Sequence, residues 1–305
     1  VHELTLSAAP PFDFLSVVYS HGWYQLTPFR FNEEPVLETV VRLHSDVVTN
    51  IEMRPVDGGV KVRTGEDLSD SDQKNLQDQV SWMLDLEREF SAFYTLAEKE
   101  PKLAHVRKRA KGRLLRSPTL FEDLVKTILT TNTSWAGTKR MVSALVDLYG
   151  EPAGGTGSEQ MKEGGVRKTF PTPQRLAKTS EKELREKARL GYRSPYIYQL
   201  AEKVDKGELD LEALKQNQLP VDELYKFLRA IKGVGGYAAA YLLLLLGMYD
   251  RIPVDSWAKK LVSVEWYDGE PVGEKHVLER FETWGEWKAL AFWLWDWDYM
   301  HTLEN

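Results

Sequence analysis

The chain has 305 residues, a formal net charge of −6 and no cysteine. That length allows one large or two ordinary domains with a sizeable core. The missing cysteines exclude disulfides, thiolate zinc sites and iron–sulfur clusters, and the scattered histidines form no HxxxH-type pair, so no metal catalysis is expected.

Residues 1–68 read as strands. His2 to Leu6 alternates apolar and polar residues, and Val36 to Arg42, Val47 to Met53 and Gly59 to Arg63 are short runs rich in Val, Ile and Thr. Asp57-Gly58-Gly59 is a hairpin signal between the last two. Phe12 to Tyr19 is apolar and fits a short helix. These features predict an antiparallel sheet domain with one helix.

From Ser69 the period changes, and residues 69–305 read as a helical domain. Ser69-Asp70-Ser71-Asp72 opens a long helical stretch through Val80, Met83, Leu84, Leu86 and Phe90. Ser117-Pro118-Thr119 caps a helix over Leu120 to Thr131. Glu151 to Gly165 is glycine-rich and predicts a mobile surface loop, and Ser180 and Glu183 are spaced as a capping box. Lys102, Arg107, Lys108, Arg109, Lys111, Arg113 and Arg116 occur with no acidic residue among them. They suit either a phosphate-contacting stripe or a solvated helix face.

The most informative segment is 228–260. An apolar helical run stops at Gly233-Val234-Gly235, and a second helix begins at once. Two glycines in three residues permit a sharp helix-to-helix turn. The start of the second helix offers unpaired amides and a partial positive charge, which suit a phosphate. One carboxylate, Asp255, follows in Pro253-Val254-Asp255-Ser256, where it also fits a helix N-cap.

This segment resembles the helix-hairpin-helix DNA glycosylases. Ile231, Gly233, Val234, Gly235, Ala238, Ala239, Pro253, Val254 and Asp255 fit the family pattern. Phe121 to Leu129 is similar to its first core helix, and Leu190-Gly191-Tyr192-Arg193-Ser194-Pro195-Tyr196 to its LGYR segment. The resemblance implies an α+β protein, an N-terminal antiparallel sheet followed by a two-lobed helical domain with the hairpin at 228–248. DNA would lie across the cleft between the lobes. The absence of cysteine removes the cluster-bearing branches and leaves the alkylpurine (3-methyladenine) and 8-oxoguanine branches.

The implied chemistry is hydrolysis of the bond between a flipped-out base and deoxyribose. Asp255 is the candidate catalytic residue, because an ionised carboxylate stabilises the oxocarbenium-like state and orients water. Lyase members carry a lysine two residues after the second hairpin glycine. Tyr237 stands there and cannot form a Schiff base. An aromatic residue at this place is similar to the alkylpurine branch.

Gly233, Val234 and Gly235 would grip the backbone of duplex DNA. Asn132 falls at the family's wedge position, which is the preferred reading, with a turn or helix C-cap role as the alternative. Gly137 replaces the arginine that accompanies such an Asn in the 8-oxoguanine branch. Tyr192 and Arg193 would lie on the same DNA face, with Arg193 either contacting the opposite strand or serving as a surface cation. Trp135, Tyr237, Tyr241 and Trp257 are candidates for a base pocket that favours electron-poor alkylated bases. Trp287, Trp293, Trp295 and Trp297 are expected in the core.

The expected function is excision of a damaged base, with alkylated purine first. An 8-oxoguanine-type glycosylase and a non-catalytic DNA-binding module are the alternatives. No cofactor is expected, with a monovalent cation at the hairpin as the one candidate exception. The expected partner is double-stranded DNA containing a damaged base, the protein being monomeric. The longest apolar run, Tyr237 to Met248, is too short to cross a bilayer, and no secretion signal opens the chain. The expected location is therefore intracellular, cytoplasmic (nucleoid) or nuclear, with no membrane.

Overall fold

The sequence pattern of residues 1–68 closes into a five-stranded antiparallel sheet with the strands in the spatial order His2–Ser7, Gly59–Thr64, Val48–Val56, Leu37–Arg42, Arg30–Phe31. The computed structural model describes residues 2–32, 34–154, 166–216, 219–298 and 300. The strands are β1 (His2–Ser7), β2 (Arg30–Phe31), β3 (Leu37–Arg42), β4 (Val48–Val56) and β5 (Gly59–Thr64). Val56 pairs with Gly59, so Asp57 and Gly58 form the two-residue turn, with Gly58 left-handed at φ 66°. Four strands match the sequence expectation; β2 spans two residues, too short for any periodicity to reveal. The short helix α1 (Phe14–Val18) follows β1 and is capped by Asp13.

The chain then becomes helical: α2 (Asp70–Leu84), α3 (Ser91–Ala97), α4 (Leu120–Thr130), α5 (Trp135–Tyr149), α6 (Pro173–Ala177), α7 (Glu181–Glu186), α8 (Ser194–Asp205), α9 (Val221–Ala230), α10 (Gly236–Leu245), α11 (Ser256–Trp266), α12 (Glu274–Phe281) and α13 (Lys288–Leu294). The predicted caps form, although Glu183, expected to complete a capping box with Ser180, turns its carboxylate to Lys187 at 2.8 Å. Ser69, Thr119 and Ser180 accept the backbone N–H of Asp72, Glu122 and Glu183, each worth about 1 kcal/mol.

One helix boundary differs from expectation. The stretch through Phe90 breaks at Asp85, which is left-handed at φ 50° and ends α2. Its carboxylate binds Arg88 at 2.7 Å and Arg116 at 2.9 Å. Those two cations hold it well below the usual carboxylate range against the opposing effect of burial. An aspartate tolerates this conformation, and no glycine or proline announces it. Of the predicted loop 151–165, residues 155–165 lie outside the described residues. Its start pairs with residues after it through the Pro152–Lys168 bridge.

The chain divides into two compact units, Val1–Glu89 with Arg113–Gln216, and Phe90–Gly112 with Asn217–Asn305. In the first, the sheet shares a unit with helices α2 and α4–α8. Helix α4 is buried from Leu120 to Leu129, charged residues included. Asp123 accepts from the Trp23 indole at 2.7 Å and the Ser117 amide at 2.9 Å. Lys126 meets Glu122 at 2.6 Å and lies over the Phe29 ring. In the second unit α10 is buried from Ala238 to Leu245, and Trp266, Phe281, Phe292 and Trp297 form an aromatic cluster.

Candidate active site

In the second unit, α9 ends at Ala230, and the Val234 N–H returns to the Ile231 carbonyl at 3.0 Å. Gly233 is left-handed at φ 92°, a conformation that a side chain at this place would strain. Gly235 is the N-cap of α10 and has no side chain to answer the amides of the first turn. It is exposed, and those amides present a ready anion site.

Beyond α10 the chain runs to Asp255, the N-cap of α11. Its Oδ1 accepts the Ala258 N–H at 2.7 Å, which leaves the second carboxylate oxygen outside that bond. Asp255 is half-buried. A carboxylate fixed this way is oriented at no cost when positive charge develops nearby.

Tyr237 lies close enough to feel that charge. Burial, and then the Asp255 carboxylate, push its phenol up to about 12. The ring is parallel to that of Tyr241, with centroids 6.1 Å apart and 9° between planes. Tyr241 packs in turn on Trp293 at 5.8 Å. Tyr241 is 4% exposed, so it backs Tyr237 from within the unit. Tyr237 borders a cavity of about 480 Å³ with Ala240, Val254 and Arg251, which Tyr241 and Trp257 do not line. Trp257, two residues past Asp255, is exposed.

Of the four tryptophans expected in the core, Trp297 is buried, whereas Trp287, Trp293 and Trp295 are half-buried, Trp293 lying beside Tyr241. Nothing in the local sequence separates the four. The contact of Trp293 with a residue more than fifty positions earlier is a product of the fold.

In the first unit, Asn132 occupies the turn between α4 and α5. It is exposed and left-handed at φ 49°, and its amide donates to the Tyr192 hydroxyl at 3.3 Å. Tyr192 is exposed as well. Arg193 corrects the expectation of a surface cation or a strand contact. It is 6% exposed, and its guanidinium donates inward to the carbonyls of Thr131 and Asn132. Trp135 packs on Gly22, where a Cβ would come within 2.5 Å of the indole. Its N–H donates to Gln25 at 2.9 Å. It therefore sits against the 3-10 turn Gly22–Gln25, at the start of α5.

The basic stripe does not form a continuous phosphate-facing row. Arg113 and Arg116 are buried, Arg113 donating to the carbonyls of Ala9, Pro11, Asp85 and Arg88. Lys102 pairs with Glu265 and Asp298, and Arg107 with Glu98. Among the described residues no three His, Asp or Glu side chains converge as a metal site, and no helix is long and apolar enough to cross a membrane.

A helix-hairpin-helix turn with uncapped amides suits an anion such as a phosphate, and one N-capping carboxylate follows it in the chain. Residues 125–286 match the sequence profile of the HhH-GPD superfamily of base excision DNA repair proteins, and the chain belongs to that family. It is 25% identical over 253 residues to a probable N-glycosylase/DNA lyase of Methanothermobacter thermautotrophicus, covering 75% of both chains. It is 26% identical over 216 residues to a DNA-3-methyladenine glycosylase of Bacillus subtilis, covering 69% of this chain and 68% of that one. In structure it resembles the 3-methyladenine DNA glycosylase of Archaeoglobus fulgidus, with a TM-score of 0.74, 19% identity, and coverage of 99% of this chain and all of the other. That last likeness concerns the fold.

Proposed function

We propose that this base excision glycosylase hydrolyses the N-glycosidic bond of a flipped-out alkylated purine and leaves an abasic site, without lyase activity. The observation that carries the reading is Asp255 fixed as the N-cap of α11, with a phenol at the place where the lyases have an amine. As the base departs, positive charge develops on the sugar. Asp255 faces that charge with a preorganised carboxylate and aligns the incoming water.

The choice of alkylated purine rests on the ring of Tyr237, which lines the cavity and is backed by Tyr241 and Trp293. Electron-rich ring faces attract a base that alkylation has made cationic. The Bacillus subtilis relative's name agrees with this class. The wedge that fills the vacated stack is Asn132, at the exposed tip of its turn.

A panel of duplexes, each with one lesion, tests the reading. Release of 3-methyladenine or 7-methylguanine, with intact strands and an abasic site as product, is expected. Release of 8-oxoguanine with strand cleavage, and none of alkylated bases, would overturn it.

A further inference from the structure

Two turns of the first unit are stitched together by one buried guanidinium. The first is the turn after α4 that carries Asn132. The second is residues 189–193, where Arg189 and Gly191 are left-handed at φ 55° and 61°. Arg193 reaches from the second to the first. Its Nη2 donates to the Asn132 carbonyl at 3.2 Å and to the Thr131 carbonyl as well. Its Nη1 faces the Met141 sulfur at 4.0 Å, and the guanidinium carbon lies 4.5 Å from the centre of the Tyr192 ring. Tyr192 closes the loop by accepting from the Asn132 side chain.

This arrangement answers a physical need of the Asn132 turn. Carbonyls just past a helix end lack intrahelical donors and carry partial negative charge. A left-handed non-glycine residue persists only where its surroundings over-determine it. Arg193 supplies both a charge and two donors to the same pair of peptides. Among the described residues its partners are carbonyls, a thioether and a ring, with no carboxylate to neutralise it. Its Nε makes no hydrogen bond. A buried charge held mainly by one turn ties the shape of that turn to its own solvation.

We propose that Arg193 is a positioning residue for base extrusion, which sets the Asn132 turn in the shape that enters the duplex and touches neither base nor phosphate. This role rests on the reading of Asn132 as the wedge. Arg193 presents Asn132, and Tyr192 anchors the presented side chain.

The test compares wild type, Asn132→Ala, Arg193→Met, Arg193→Lys and the Asn132→Ala/Arg193→Met double variant. Single-turnover excision is measured for one lesion in paired, mispaired and single-stranded DNA. A 2-aminopurine beside the lesion reports unstacking. Arg193→Met should slow paired excision about tenfold and lower the 2-aminopurine signal, with little effect in single strands. The double variant should be no slower than the slower single variant, because both act on one turn. Arg193→Lys, which keeps the charge and can reach one carbonyl, should recover part of the rate. The salt dependence of duplex affinity should not change.

Additive losses in the double variant would overturn the proposal. So would a salt slope reduced by about one, the sign of a lost phosphate contact. Equal slowing by Asn132→Ala in all three contexts would instead remove the wedge reading itself, and this role with it. If Arg193→Met does not fold, Arg193→Lys and Arg193→Gln carry the same comparison.

Discussion

The carboxylate of Asp255 and the burial around Tyr237 together keep the Tyr237 phenol protonated, pushed up to about 12. At neutral pH this residue is neither a nucleophile nor a base. Borohydride should therefore trap no covalent complex with damaged DNA, because trapping needs an imine and hence an amine. Lys259 and Lys260 stand past Asp255 on α11, away from that place in the sequence. A strong trapped band on a gel would show that another amine attacks the sugar, and the monofunctional reading would fall.

Asp255→Asn should separate folding from chemistry. Asparagine caps helices about as well as aspartate, so the bond to the Ala258 N–H and the melting temperature should be kept. Affinity for duplex DNA should also be kept. Excision should fall on the order of 100-fold or more, as when a preorganised electrostatic stabiliser is removed. Near-normal single-turnover excision by the variant would sink the assignment of Asp255.

Features governed by local chemistry were legible in the sequence. Ser69, Thr119, Ser180 and Asp255 each cap the helix that follows them, because capping involves only neighbouring residues. The alternation of β-branched residues located four strands for the same reason. What stayed hidden depends on distant partners. Arg113 and Arg116 look like surface cations until the carbonyls and carboxylate that surround them are in place. Arg193 turns inward because the orphan carbonyls of a turn sixty residues earlier lie beside it. Trp293 joins Tyr241 through packing that no spacing rule encodes.

His21 should impose a pH dependence on stability. Burial, aided by the charge of Lys126, brings the ring from its ordinary 6.5 down to about 4. Its Nε2 lies 2.6 Å from the Leu115 carbonyl. A carbonyl only accepts, so the neutral ring carries its proton on Nε2. Between these two values the unfolded chain binds more protons than the folded one, so this contribution falls as the pH drops from 6.5 to 4. Glu122 and Asp123, pushed up by burial, act in the opposite direction, so the prediction concerns a difference. The melting temperature of wild type relative to His21→Gln should drop by roughly 5 °C from pH 7 to pH 4. A constant difference across that range would mean that His21 is charged, or free to become so, in the folded protein.

Gly235 offers a way to set stability against binding. Its backbone is in the extended region at φ −87°, and a Cβ there meets nothing within 4 Å. A side chain is therefore accommodated, unlike at the left-handed Gly233. Gly235→Asp should cap α10 and raise stability by roughly a few tenths of a kcal/mol. The same carboxylate would occupy the amides that suit a DNA phosphate and repel the backbone. Duplex affinity should fall about equally for damaged and undamaged DNA, and excision should return at high enzyme concentration, since Asp255 is untouched. Gly235→Ser, which caps without charge, should raise stability similarly and weaken binding less. Melting curves and binding titrations over a range of salt concentrations decide the matter. A more stable Gly235→Asp variant that binds as tightly as wild type at every salt concentration would show that the hairpin is not the DNA anchor.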